Sequence, residues 1–152
     1  MNSNLYRKII VATDGSESVK KAVDAAIEIA KLSGAKLYAV YVIASGGYTV
    51  GHPRDLGWEK AMKDHLSTEG KEATDYVKTA GRAASVEIEP VFLEGSPADE
   101  IVDFAEKNDI DLIVMGTLGK TGVQKFLLGS VAQNVVRHSR KAVLVVKGME
   151  AR

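Results

Sequence analysis

No cysteine occurs anywhere in the 152 residues, which removes disulfides, thiolate metal ligands and cysteine nucleophiles at a stroke. Charge of one sign is missing too. Twenty Lys and Arg balance twenty Asp and Glu, for a formal net charge of zero, so no strong field favours nucleic acid or a membrane surface. No apolar run approaches the ~18 residues that span a bilayer, and the opening MNSNLYRK has no apolar stretch of a secretory leader. The expectation is a cytoplasmic protein with neither nucleic acid nor membrane as partner. His52, His65 and His138 share no metal-ligand spacing, so no metal site made by them is expected. What remains is an ordinary globular composition, 45% hydrophobic and 26% charged. A chain of this length reads as one domain over residues 1–152, able to bury roughly 68–70% of its unfolded surface.

Apolar runs and helical stripes alternate along that domain. Lys8–Thr13 (KIIVAT) is a β-branched run ending at Asp14-Gly15-Ser16, a strand followed by a turn. Val19, Ala22, Val23, Ala26, Ile27 and Ala30 then recur at helical spacing, closed by Gly34. Ala35–Ala44 reads as a second strand, and 45–55, with Gly46, Gly47, Gly51 and Pro53, as an exposed loop. A long helix is marked from Trp58 to Ala80, weakened in its middle by Gly70. Val86–Leu93 alternates and contains Pro90, which lacks a ladder donor and assigns this strand to a sheet edge. Ser96-Pro97-Ala98-Asp99 opens the third helix, Ile110–Met115 is the fourth strand, Val131–Arg137 the last helix and Ala142–Val146 the fifth strand. Strand and helix alternating, with several strands apolar on both faces, predict a doubly wound, five-stranded parallel sheet covered by helices on both sides, Rossmann-like in plan. Ligands of such sheets lie beyond the carboxyl ends of the strands, where the strand order reverses.

The most informative spacing follows the fourth strand: Gly116, Gly119, nine residues, then Gly129-Ser130. Glycines at 116 and 119 are free to take positive φ and let backbone N–H groups converge on an anion. Ser130 suits the N-cap of the helix after it, whose N-terminus offers free N–H groups and a positive dipole end. Together they predict a phosphate cradle made mostly of main chain. Asp14, ending the first strand, falls at the same crevice, either as a ligand to the bound molecule or as a plain turn residue. Gly119-Lys120-Thr121 imitates the end of a P-loop, but Val114 stands where the first glycine is required. No G-x-G-x-x-G follows the first strand either.

The segment VMGTLGKTGVQKFLLGSVAQNVVRHSRKAVLVVK resembles the ATP-binding branch of the universal stress protein family, with its G-x2-G-x9-G-(S/T) signature. KIIVATDGSESVKKAV, LYAVYVI and LEGSPADEIVDFAEKNDIDLIVMG resemble the rest of that family's domain. The resemblance implies a site. Asp14 would meet the ribose side, with Ala12 beside it where many members have Pro. Val42 would pair with the adenine edge through its backbone, and Met115 and Gly116 would wall the base and ribose. Gly119, Gly129, Ser130 and Val131 would face the phosphates. The ligand implied is ATP, with Mg²⁺ or Mn²⁺.

The 116–130 loop carries no His and no carboxylate, so a base for hydrolysis is lacking there. The expectation is therefore a nucleotide-dependent stress-response switch with little or no hydrolysis. Its rivals are a slow ATPase and a dimeric interaction module that needs no nucleotide. Val143–Val146 is apolar on both faces; at a sheet edge it would invite its own copy, predicting a homodimer through Ala142–Val146. Bound nucleotide would then order or release the Thr117–Leu128 loop.

Overall fold

Five apolar runs become five strands because each is flanked by a helix able to cover it. In the computed structural model, which describes residues 5–44, 56–117 and 128–148, β1 (Lys8–Ala12), β2 (Lys36–Ala44), β3 (Ile88–Gly95), β4 (Leu112–Gly116) and β5 (Ala142–Val146) form one sheet. Every pairing is parallel and the order is β3-β2-β1-β4-β5. The helices between them are α1 (Lys20–Ser33), α2 (Leu56–Ala83), α3 (Pro97–Lys107) and α4 (Ser130–His138). A 3-10 turn at Glu17–Val19 leads into α1. The doubly wound α/β fold read from the alternation is the fold observed.

The sheet separates two cores. Ile9, Val11, Leu37, Ala39, Leu112 and Val114 pack with α1 and with Val77 of α2. The alternate residues Ile10, Tyr38, Val40, Ile113 and Met115 pack with α3 and α4 through Ile101, Ala105, Ala132 and Val135. Both faces of the central strands are thus apolar, as parallel strands buried on two sides require. Helix ends follow local chemistry. Gly34 stops α1 in the left-handed region at φ 70°, returning its N–H to the Ala30 carbonyl. Ser96, extended, precedes Pro97 at the first helical position of α3, with Asp99 and Glu100 in the first turn. At the end of the sheet away from the crevice, Asp111 ties β4 to β1: its Oδ2 accepts the Arg7 and Lys8 N–H groups at 2.9 and 3.0 Å.

The two edges differ. The Leu37 N–H donates to the Glu87 carbonyl, so by strand alternation Glu89 and Val91 also turn their backbone groups toward β2. Pro90 therefore faces the open side, where its missing donor leaves the ladder intact, as the edge assignment anticipated. At the other edge the Thr117 N–H donates to the Val146 carbonyl at 3.2 Å. Val146, Leu144 and Ala142 thus face β4, while Val143 and Val145 present N–H and C=O outward.

Two expectations need correction. β4 runs from 112 to 116 rather than 110 to 115, so Gly116 is a ladder member opposite Val146. Gly70, read as a weakness in the middle of α2, does not interrupt it, and the helix continues unbroken through it. A Cβ at Gly70 would lie 2.7 Å from the Tyr41 ring and 3.2 Å from the Phe92 ring; its bare Cα lets α2 settle onto β2 and β3. Gly70→Ala should therefore destabilise by about 1–3 kcal/mol through overpacking, against its better helix propensity. Urea unfolding checks it, and a stabilised variant would refute the close approach.

Candidate functional site

Strand order reverses between β1 and β4. The chain winds from β1 through β2 to β3 on one side, and then α3 carries it across to β4 on the other. Connections on either side of that seam leave in opposite directions, which opens a crevice at the carboxyl ends. Ala12 and Asp14 leave β1 there, Gly116 leaves β4, and α4 begins at Ser130.

The exit from β1 is held by two overlapping side-chain turns. Thr13 is buried, its N–H extending the ladder to the Val40 carbonyl at 2.9 Å. Its Oγ1 accepts the Gly15 N–H at 3.2 Å, and Asp14 Oδ1 accepts the Ser16 N–H at 2.9 Å. Such local bonds are what Thr and Asp offer a turning backbone. Gly15 sits at φ 78°, and a Cβ there would lie 3.3 Å from Ala73 Cβ. Asp14 is half-buried, and among the described residues its Oδ2 accepts no hydrogen bond.

The exit from β4 is closed at a neck. The Gly129 N–H donates to the Thr117 carbonyl at 2.6 Å, while the Thr117 N–H holds β5. Gly129 is extended (φ −71°, ψ 168°) and is the N-cap of α4, its carbonyl accepting the Gln133 N–H. The N–H groups of Ser130, Val131 and Ala132 consequently have no acceptor within the helix, and no side chain caps them. Three backbone donors point out of one turn, at the positive end of the helix dipole.

Several sequence expectations change in detail. Ser130 is the first residue of α4 rather than its N-cap, because Gly129 already supplies the extended residue. The Gly129 N–H is taken by Thr117, so the donors at the helix start come from 130 to 132. Gly116 does not adopt positive φ; at this end of β1 the left-handed glycine is Gly15, which the sequence marked as a turn residue after Thr13 without giving either a part in the site. The Asp-Gly-Ser turn after the first strand held the signal for both. Ala12, Val42 and Val131 are half-buried and pack against the α3–α4 core, where the Met115 side chain is itself buried. The apolar residues expected around the nucleotide, Val42 and Met115 at the base, Ala12 on the ribose side and Val131 by the phosphates, therefore belong to one core. Gly119, Lys120, Lys125 and most of the Thr117–Leu128 loop lie outside the described residues.

On the opposite face a cleft of about 290 Å³ lies between the β1 turn and α2, with Asp14, Ser16, Lys20, Glu72 and Tyr76 in its lining. Lys20 pairs with Glu17 at 2.7 Å and stands 5.1 Å from the centre of the Tyr76 ring. The Glu17 hydrogen bond, opposed by desolvation, raises the Lys20 ammonium above its ordinary value. Among the described residues no three His, Asp or Glu side chains converge to hold a metal ion, and no helix is long and apolar enough to cross a membrane.

With this geometry in view, comparison with known proteins is informative. Residues 5–147 match the family model of the universal stress protein family. Universal stress protein MJ0531 of Methanocaldococcus jannaschii is 48% identical over 144 residues, covering 95% of this chain and 84% of that relative. The solved structure of MJ0577, a universal stress protein of the same organism, superposes with a TM-score of 0.84 at 31% identity, covering 97% of this chain and 99% of that one. A universal stress protein from Archaeoglobus fulgidus, solved in complex with dAMP, superposes with a TM-score of 0.70 at 29% identity, covering 94% and 99%. The chain belongs to the universal stress protein family.

The strain at the β1 exit is measurable. Gly15→Ala places an L side chain in the left-handed region and against Ala73, and should lower stability by about 1–2 kcal/mol. Thermal or urea unfolding checks it.

Proposed function

We propose that this protein binds ATP in the crevice between β1 and β4 and acts as a nucleotide-dependent switch rather than a catalyst. One observation carries the reading: the N–H groups of Ser130, Val131 and Ala132 at the start of α4, which find no acceptor among the described residues and lie beside the seam where the sheet parts. Such a helix start suits a phosphate chain. Around it the donor set is apt for an adenine nucleotide. Ala12, Val42 and Val131 offer an apolar wall, and the free oxygen of Asp14 offers an acceptor to a sugar hydroxyl. The dAMP held by the Archaeoglobus relative supports the adenine class. A companion Mg²⁺ or Mn²⁺ fits a site with one carboxylate, since such an ion takes most of its ligands from phosphate oxygens and water. Asp14 is the residue that would reach it.

Hydrolysis calls for a group that orients or deprotonates water. Residues 116–130 contain no His and no carboxylate, so turnover should be negligible and occupancy itself should be the signal. That signal has a route outward, because Thr117 links the neck of the excursion to the last residue of β5.

The test uses a substitution that the helix tolerates. Proline suits the first helical position, and Gly129 already has the extended backbone that must precede it. Ser130→Pro removes the hydroxyl and one N–H together. Calorimetry should show ATP affinity falling by about 10-fold or more, with the melting temperature little changed. Equal affinity in the two proteins would refute the cradle.

The open edge of β5 favours a homodimer through Ala142–Val146, since Val143 and Val145 turn N–H and C=O groups outward. Val145→Pro deletes an outward donor and leaves the β4 ladder untouched. Sedimentation should find wild type dimeric and this variant monomeric; a monomeric wild type would dismiss the pairing.

A further inference from the structure

Two polar side chains are buried among the described residues, Thr13 and Thr74. Thr74 is accounted for inside its own helix, donating to the carbonyls of Gly70 and Lys71. Thr13 has no such helical role. It stands at the last rung of β1 toward the crevice, where valine would fill the same volume without a hydroxyl to desolvate. Its Oγ1 instead accepts the N–H of Gly15, the residue at φ 78°. That bond holds the backbone in the left-handed turn, which in turn lets Asp14 reach forward to the Ser16 N–H through Oδ1. Two successive backbone N–H groups, those of Gly15 and Ser16, are thus held by Thr13 and Asp14, and Thr13 is itself tied to the Val40 carbonyl on β2. The oxygen left over, Oδ2, accepts no hydrogen bond among the described residues, at a half-buried position where β1 leaves the sheet.

We propose that Thr13 is a positioning residue that aims the Asp14 carboxylate at a hydroxyl-bearing ligand, the sugar of the nucleotide, without touching that ligand itself. This rests on the nucleotide reading above. A pre-set carboxylate keeps its strength because no torsion has to be frozen on binding. Removing the Thr13 hydroxyl strands the Gly15 N–H and frees the turn to wander, so the loss should appear in affinity and should pass through Asp14 alone.

The experiment is a double-mutant cycle on the full chain, read as ATP affinity by calorimetry. Thr13→Val should weaken binding about 10-fold, and Thr13→Ser, which keeps the hydroxyl, should restore it to within about threefold of wild type. In an Asp14→Ala background the same Thr13→Val change should alter affinity by less than about twofold. Thr13→Ala replaces the valine variant should the latter fail to fold. Full affinity in Thr13→Val, or an equal loss with and without the Asp14 carboxylate, overturns the positioning role while leaving the nucleotide reading intact. Absence of ATP binding by wild type overturns both.

Discussion

Parallel pairing of β1 with β4 is the contact on which the crevice at the carboxyl end of the sheet is built. Ile9, Ile10 and Val11 lie opposite Leu112, Ile113 and Val114, six apolar residues at the middle of the sheet. None of them has solvent to face on either side. Their burial holds together two halves whose connections leave in opposite directions. Because the halves must stay joined in the middle, they part at the carboxyl end, and the crevice follows from the winding. The chemistry there can be modest. A turn after β1 and a helix start after β4 supply one carboxylate and a few backbone donors, held in place by the sheet beneath.

The proposed recognition by main chain has a particular logic. Backbone N–H groups carry no rotamers to freeze, and their directions are set by the helix that bears them. The start of α4 is held by Gly129, whose N–H is bound to Thr117 and whose carbonyl is bound to Gln133. Both termini of the 117–129 excursion are therefore fixed, whatever lies between them. On the β1 side the same economy appears in Thr13 and Asp14, whose side chains serve the backbone of the next residues but one.

Much of this was legible in the sequence, for identifiable reasons. Periodicity found the helices because each buries a stripe against a sheet. It found the strands because a parallel sheet covered on both sides needs near-continuous apolar runs. Pro90 announced its edge because no interior strand tolerates it. The errors came where neighbours distant in sequence decide. Gly70 looked like a weak point in a helix until the rings of Tyr41 and Phe92 came to rest on it. Gly116 looked like a turn, yet Val146, thirty residues on, keeps it in the ladder. Gly116, Gly129 and Ser130 do lie together at the carboxyl end of β4. Their spacing left open which glycine would cap, which would pair and which would turn, since those roles depend on hydrogen bonds made across the seam.

The unequal borders of the sheet have a consequence for growth. On the β3 side Pro90 withholds an outward donor, so an incoming strand meets a gap in the ladder. On the β5 side, among the described residues, the N–H and C=O groups of Val143 and Val145 pair with no further strand. A body with one receptive border and one unreceptive border can zip to a twin by a two-fold axis, and the union then shows the world only its unreceptive sides. Association of that kind ends at two and cannot run on into a ribbon.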